Sequence, residues 1–331
     1  MLLSWLKDQP LYPKIYWATQ NEAIAAAGIA NTEEPLQFSW QNFYRLPNFF
    51  SPLLIKRGTH QPKPLPPYLV EKRSSLPDRE QWTANLSTVL TKISQGELEK
   101  VVLARRSRVD CTSQIDPFSL CSALTGQTIF LLQQDPSSAF LGASPETLYR
   151  RSGREIECDV LAGTRPLEMD SELLHSEKDV REFLYVQNFL LDVLTPLCVS
   201  PPSATPFAVR KYATTCHLHA KVKGILKETI NDEEILATLH PTPAVGGIPR
   251  KEALSFLSSF EPFDRALYAS PIGWKTKEKA EFAVAIRSAL IKDCSAQLYA
   301  GVGIVTGSDP SFEWEETEWK LSLWNKWFCC L

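Results

Sequence analysis

No run of about 18 apolar residues occurs anywhere in the 331-residue chain, so no segment reads as a membrane-spanning helix. Nor is there a basic block. With a formal net charge of -3 and 22% charged residues, binding to nucleic acid through phosphate neutralisation is not expected. Cys-x-x-Cys pairs are missing too: the eight cysteines are scattered apart from Cys329 and Cys330, which fits a reduced, cytoplasmic protein. The opening MLLSWLKDQP is too short in its apolar part for a secretion signal, and the tail FCCL is one position out of frame for a prenylation box. A phosphate loop and a dinucleotide fingerprint are both absent, since AVGGIPR is too short and proline-bound to be either. Without an internal repeat, a linker or a coiled-coil heptad, residues 1–331 read as a single domain and a monomer. What is present, 44% hydrophobic residues, is enough for a large core.

Residues 1–77 mix aromatic strand-like runs such as KIYWAT with proline-rich connections, and are the least readable part. At Asp78 the pattern changes. Asp78 with Gln81 is a capping signal, Trp82, Leu86, Val89, Leu90 and Ile93 recur at helical spacing, and Gly96 marks a stop. Strands are expected at KVVLAR, TIFLLQQ, AFLGASPETLYRRSG, EIECDVLAGTRP, HLHAKVKGIL, FAVAIRSALIKD and AQLYAGVGIVTG. Helices are expected at SEKDVREFLYVQNFLLDVL, NDEEILATLH, RKEALSFLSSF and FEWEETEWKLSLWNKW. Strands cluster instead of alternating strictly with helices, which predicts an α+β fold with large, mostly antiparallel sheets.

Several residue patterns carry chemistry. Asp179 and Glu182 share one helix face, and Glu313 and Glu316 share another with Lys320 a turn beyond; two such faces suit Mg²⁺, although solvent-facing acids explain either helix taken alone. Gly301 and Gly303 end an apolar strand, where missing side chains let a ligand approach the backbone; a bulge is the alternative. Arg287 falls among apolar neighbours of an expected strand and needs an anionic partner, either a ligand carboxylate or an internal acid. His217 and His219 share a strand face but have no third ligand at zinc spacing. Lys100, at the mouth of the KVVLAR strand, is either a solvated edge charge or a functional group.

Taken in order, KVVLAR, GASPETL, LAGTRP, SEKDVRE, LHPTPAVGG, YASPIGW, VAIRSA, YAGVGIV and EWEETEWK resemble the motifs of the chorismate-utilising enzymes over about residues 78–326. That family includes isochorismate, salicylate, anthranilate and aminodeoxychorismate synthases. LHPTPAVGG is most similar to the isochorismate synthases, particularly those of menaquinone biosynthesis. The resemblance implies the fold of anthranilate synthase component I: two large layered sheets with outer helices around a central cleft. It further implies conversion of chorismate to isochorismate, Lys100 as general base and Glu146 as general acid. Glu182 and Glu316 would be direct Mg²⁺ ligands, and Asp179 and Glu313 would act through metal-bound water. Gly163, Thr164, His217, Tyr268, Arg287, Gly303 and Lys320 would bind substrate. No glutaminase subunit is expected, because the amine-transferring members usually carry glutamine at the position of Lys100.

A salicylate synthase, which goes on to expel pyruvate, would share Lys100 and Glu146; a non-catalytic chorismate-binding regulator is the rival from another class. Departures from the family pattern are Phe183 where many members have histidine, Ser270 for a frequent glycine, and Val302 for alanine, whose added bulk is expected to narrow the pocket. The N-terminal region is also shorter than in many relatives.

Overall fold

The computed structural model describes residues 1–31, 35–212 and 215–330; Leu331 of the FCCL tail lies outside them. Among the described residues two sheets dominate, one of 11 strands and one of 9. Among the described residues every pairing is antiparallel except that of Phe328–Cys330 with Tyr68–Leu76. The expected helices form over Arg79–Ser94, Glu177–Leu194, Asp232–Leu239, Arg250–Phe260 and Pro310–Leu321. The last ends earlier than the sequence pattern implies, its final turn tightening into a short 3-10 segment, Ser322–Trp324. Two additional helices form, Leu2–Asp8 in the segment considered above only as a possible signal, and Pro117–Ala123.

Local chemistry explains the helix starts. Asp78 and Gln81 form a reciprocal capping box, and Ser176 accepts the Asp179 N–H at the head of the Glu177–Leu194 helix. Trp82, 1% exposed, donates its indole N–H to the Pro310 carbonyl at 3.2 Å and packs edge-on against Trp314. The first long helix thereby anchors the head of the last one.

Two sequence readings need correction. AFLGASPETLYRRSG and FAVAIRSALIKD were each expected to run as strands, yet each divides between the sheets. Ser138–Ser144 belongs to the larger sheet and Thr147–Ser152 to the smaller; Lys279–Val284 belongs to the smaller and Ser288–Lys292 to the larger. Arg287 therefore sits in a crossover with φ 52°, not in a strand. A non-glycine residue in that region is strained, and surrounding structure must hold it there. Pro145 and Glu146 occupy the other crossover.

Phe130 and Phe140 from the larger sheet pack with Leu148, Tyr149 and Phe282 from the smaller in one core. Each such ring, taken from water, contributes about 2–3 kcal/mol. This shared core holds the crossovers at the base of a cleft between the sheets.

Candidate active site

The cleft lies between the two sheets and is tight, a cavity of about 60 Å³. The larger sheet supplies one wall through the strands Lys100–Cys111 and Ser295–Ile304, which pair with Gly303 opposite Val102. The smaller sheet supplies the other through Glu155–Pro166 and Thr215–Ile225. Glu146, Gly163, Thr164, Glu182, His217, Tyr268, Arg287, Gly303 and Lys320 all line it. Lys100, Asp179, Glu313 and Glu316 do not; they are buried immediately behind.

Lys100 is 0% exposed, so the solvated-edge reading fails. Its Nζ lies 3.1 Å from Glu182 Oε1. Burial pulls the ammonium below its ordinary pKa, and the Glu182 charge only partly opposes this. Glu146 shows the opposite perturbation: burial, then the nearby Asp159 charge, push its carboxyl up to about 8, outweighing Lys100 and Lys320. At neutral pH it is a buried acid that still holds its proton.

Both glycines line the cleft and also make room for the protein's own side chains. A Cβ at Gly303 would overlap Glu182 Oε1 and come within 2.8 Å of Lys100 Cε, so this position is empty to admit an acid and a base of the protein itself. Gly301 likewise clears Tyr268 Oη. The strand runs through both without a register shift, so no bulge forms. Val302 points the other way, into the packing of Trp82, Leu86, Leu103 and Ala253, and does not narrow the cleft.

Each predicted metal-site acid meets a cation. Asp179 contacts Arg165 at 2.6 Å, Glu182 contacts Lys100, Glu313 contacts Lys178 at 2.5 Å, and Glu316 contacts Lys320 at 2.7 Å. Burial and the Glu316 charge raise Glu313 to about 7; for Glu316 burial acts upward too, but Lys320 and Lys178 bring it below its ordinary value. Among the described residues no three His, Cys, Asp or Glu side chains converge closely enough to enclose a metal. The donor chemistry nevertheless fits a hard cation that keeps most of its water: every group is a carboxylate, and the Asp179 and Glu313 oxygens touch their cations without a well-directed hydrogen bond.

His217 has a defined role. Its Nδ1–H donates to the Gly163 carbonyl at 2.9 Å, and Nε2 faces the donors Thr215 Oγ1 at 3.1 Å and Arg287 Nη2 at 3.3 Å. Burial, then the Arg287 charge, hold the ring well below its ordinary pKa, so it stays neutral and orients Arg287. Burial brings Arg287 itself down to about 10. Its guanidinium donates to Thr215 and His217, neither of them an acid, and it lines the cleft where an anionic ligand would meet it. Lys320 is fixed by Glu316 and by the Gly301 carbonyl at 2.8 Å.

Sequence reasoning missed Arg165 and Lys178, which lie inside quoted motifs, and missed Arg265 altogether. Arg265, 1% exposed, grips Glu261 and donates to the carbonyls of Val245 and Val102; Glu261 in turn accepts the Ala104 N–H at 2.9 Å. This ion pair fills a gap in the ladder beside the Lys100 strand and ties the LHPTPAVGG loop to it. Nothing in the local sequence around Arg265 signals that long-range role.

Two layered, mostly antiparallel sheets of an α+β fold thus enclose a cleft lined by Glu146 and Arg287, with Lys100 buried behind it. The chain matches the family described as chorismate binding enzyme over residues 53–326, and it belongs to that family. It is 40% identical over 269 residues to the chloroplastic isochorismate synthase of Catharanthus roseus, a stretch covering 77% of this chain and 46% of that protein. The chain thus spans about half the length of the plant relatives it matches. It is 30% identical to the isochorismate synthase MenF of Escherichia coli (strain K12), covering 97% of this chain and 89% of that protein. The solved structure of MenF from Escherichia coli, described as menaquinone-specific, superimposes with a TM-score of 0.88 at 27% identity, covering 98% of this chain and 91% of that one. Anthranilate synthase component I from Streptococcus pneumoniae TIGR4 shares the fold, with a TM-score of 0.74 at 18% identity over 96% of this chain and 90% of its own. The expected fold is therefore the observed one.

Proposed function

We propose that this chain is an isochorismate synthase, converting chorismate to isochorismate by adding water at C2 and releasing the C4 hydroxyl. The observation that carries this reading is the opposed pair of perturbed groups: a lysine whose proton is loosely held and a carboxyl whose proton is retained to about pH 8, both buried at one cleft. Pairs of groups pushed apart in this way divide acid and base roles. Lys100 takes a proton from the attacking water, Glu146 gives one to the departing hydroxyl, and the ring double bonds shift between them. Arg287, oriented by His217, and Lys320, Tyr268 and the Gly303 backbone bind and align the substrate's carboxylates in a pocket also lined by Gly163 and Thr164, so the reacting carbons meet water in one orientation.

Glu182 and Glu316 would hold Mg²⁺ directly, with Asp179 and Glu313 positioning its water. When bound, the ion supplies positive charge to the substrate's ring carboxylate. We read the chain as one cytoplasmic domain acting as a monomer without a glutaminase partner, and its product as feeding menaquinone synthesis, in keeping with the menaquinone-specific character of the similar Escherichia coli enzyme.

The test is chromatography of products after incubation with chorismate and Mg²⁺, with and without EDTA. Isochorismate formed only with the metal is the expected outcome. Pyruvate with salicylate would replace this reading by a salicylate synthase, and binding without turnover would replace it by a non-catalytic chorismate-binding protein.

A further inference from the structure

Glu146 must present its proton from a crossover between two sheets, where ordinary strand pairing cannot hold it. The Thr147–Ser152 strand pairs with Glu155–Pro166 only from Arg150 to Ser152, and its pairing with Lys279–Val284 shifts register between Thr147 and Tyr149. The ladder has come apart where Glu146 begins. Buried Asp159, on the neighbouring strand, fills that opening with its side chain. Its Oδ2 accepts the Thr147 N–H at 3.1 Å and the Gln127 amide at 3.2 Å, while Oδ1 accepts from His219 Nε2 at 3.0 Å. Gln127 also donates to Thr147 Oγ1 at 2.8 Å. Both the backbone and the side chain of the residue after Glu146 are thus pinned to one carboxylate cluster.

We infer that Asp159, assisted by Gln127 and His219, is a positioning residue for the reaction: it fixes the crossover that aims Glu146 into the cleft and places a negative charge behind that carboxyl. This rests on the acid role proposed for Glu146. The geometry has a chemical consequence. The charged and titratable groups around Glu146 are Asp159 from the smaller sheet, Lys320 across the cleft, Lys100 buried behind it, and the phenols of Tyr212 and Tyr268. Asp159 is the acidic member of that set, so it opposes ionisation of Glu146 while Lys100 and Lys320 favour it. Burial acts to raise Asp159, but His219 and the Thr147 donors outweigh it and hold the carboxyl below its ordinary value, so Asp159 stays charged.

The experiment compares pH profiles of kcat and KM for the parent chain, Asp159→Asn and Gln127→Leu, with chorismate and saturating Mg²⁺. The Asp159→Asn substitution keeps the shape of the side chain and removes its charge. Expected for it is a kcat about tenfold lower, KM within about twofold of the parent, and an alkaline limb moved to lower pH by about one unit. Gln127→Leu, at a half-buried position, should lower kcat by less and leave KM in place. Parent-like kcat and alkaline limb in Asp159→Asn would overturn the inference, as would a loss of kcat with the limb unmoved, which marks a structural role alone. Should Asp159→Asn fail to fold, an unchanged kcat in Gln127→Leu overturns it and a selective loss of kcat supports it. A parent chain that does not turn over chorismate overturns the functional reading and this inference with it, so the two failures are told apart by the parent's activity.

Discussion

Glu146 and Lys100 are both charged residues that folding places where water is scarce, yet burial drives them in opposite senses, because it always disfavours the charged form. An acid so treated keeps its proton and a base so treated gives its proton up. Glu146→Gln should therefore reduce kcat by about 100-fold or more while chorismate still binds, measured by steady-state kinetics with a binding titration alongside. Parent turnover in that variant would remove Glu146 from the acid role. In the parent, the value of about 8 for Glu146 places the upper limb of activity there: activity should fall as pH rises through 8, since the proton the leaving hydroxyl needs has gone. Lys100→Ala should abolish hydroxyl transfer with chorismate binding largely intact, and unchanged turnover would dismiss the lysine as base.

Among elements, the Ser295–Ile304 strand and the helices Glu177–Leu194 and Pro310–Leu321 form one unit whose tolerances are narrow. Gly303→Ala would drive a methyl group onto Glu182 Oε1 and Lys100 Cε, and both are held by each other and by packing. The expected result is loss of most activity with a retained fold, checked by kinetics together with circular dichroism. Asp78→Ala acts elsewhere on the same principle of local geometry. Removing that cap should cost about 1 kcal/mol, seen as a lower denaturant midpoint, and leave kcat unchanged, because the capping box is exposed and does not line the cleft. A change in kcat would mean that the first long helix, through Trp82 and Pro310, carries strain to the acid-bearing helix.

At the scale of the whole molecule, a buried carboxyl costs stability. The folded-state pKa of Glu146, about 8, lies above its ordinary 4.5, so folding binds a proton at that site. Such a group contributes fully below the unfolded pKa, and its contribution is lost as pH rises through 8. Glu146→Gln should therefore be more thermostable than the parent at pH 9, by about 2–4 °C or more, and little different at about pH 4, below the unfolded pKa. Calorimetry at the two values checks the sign; equal melting temperatures at pH 9 would show that the buried carboxyl carries no such penalty. The ion pairs around Asp179, Glu182, Glu313 and Glu316 follow the same logic, since carboxylates this deeply buried are tolerated because each meets a cation.

What the sequence determined by itself was whatever depends on residues a few positions apart. Helical spacing from Trp82 to Ile93, the cap at Asp78, and the paired acids one turn apart all formed as read, because i to i+4 geometry is set locally. The ordered motifs also made the family and its fold legible. Tertiary structure alone decided where AFLGASPE and FAVAIRSA leave one sheet for the other, since an apolar run reads the same whichever sheet pairs with it. It alone decided that Arg265 and Glu261 close a gap beside the Lys100 strand, and that Lys100 is buried against Glu182. Those outcomes depend on partners many tens of residues distant, and the pKa shifts of Lys100 and Glu146 exist only once those partners have excluded water.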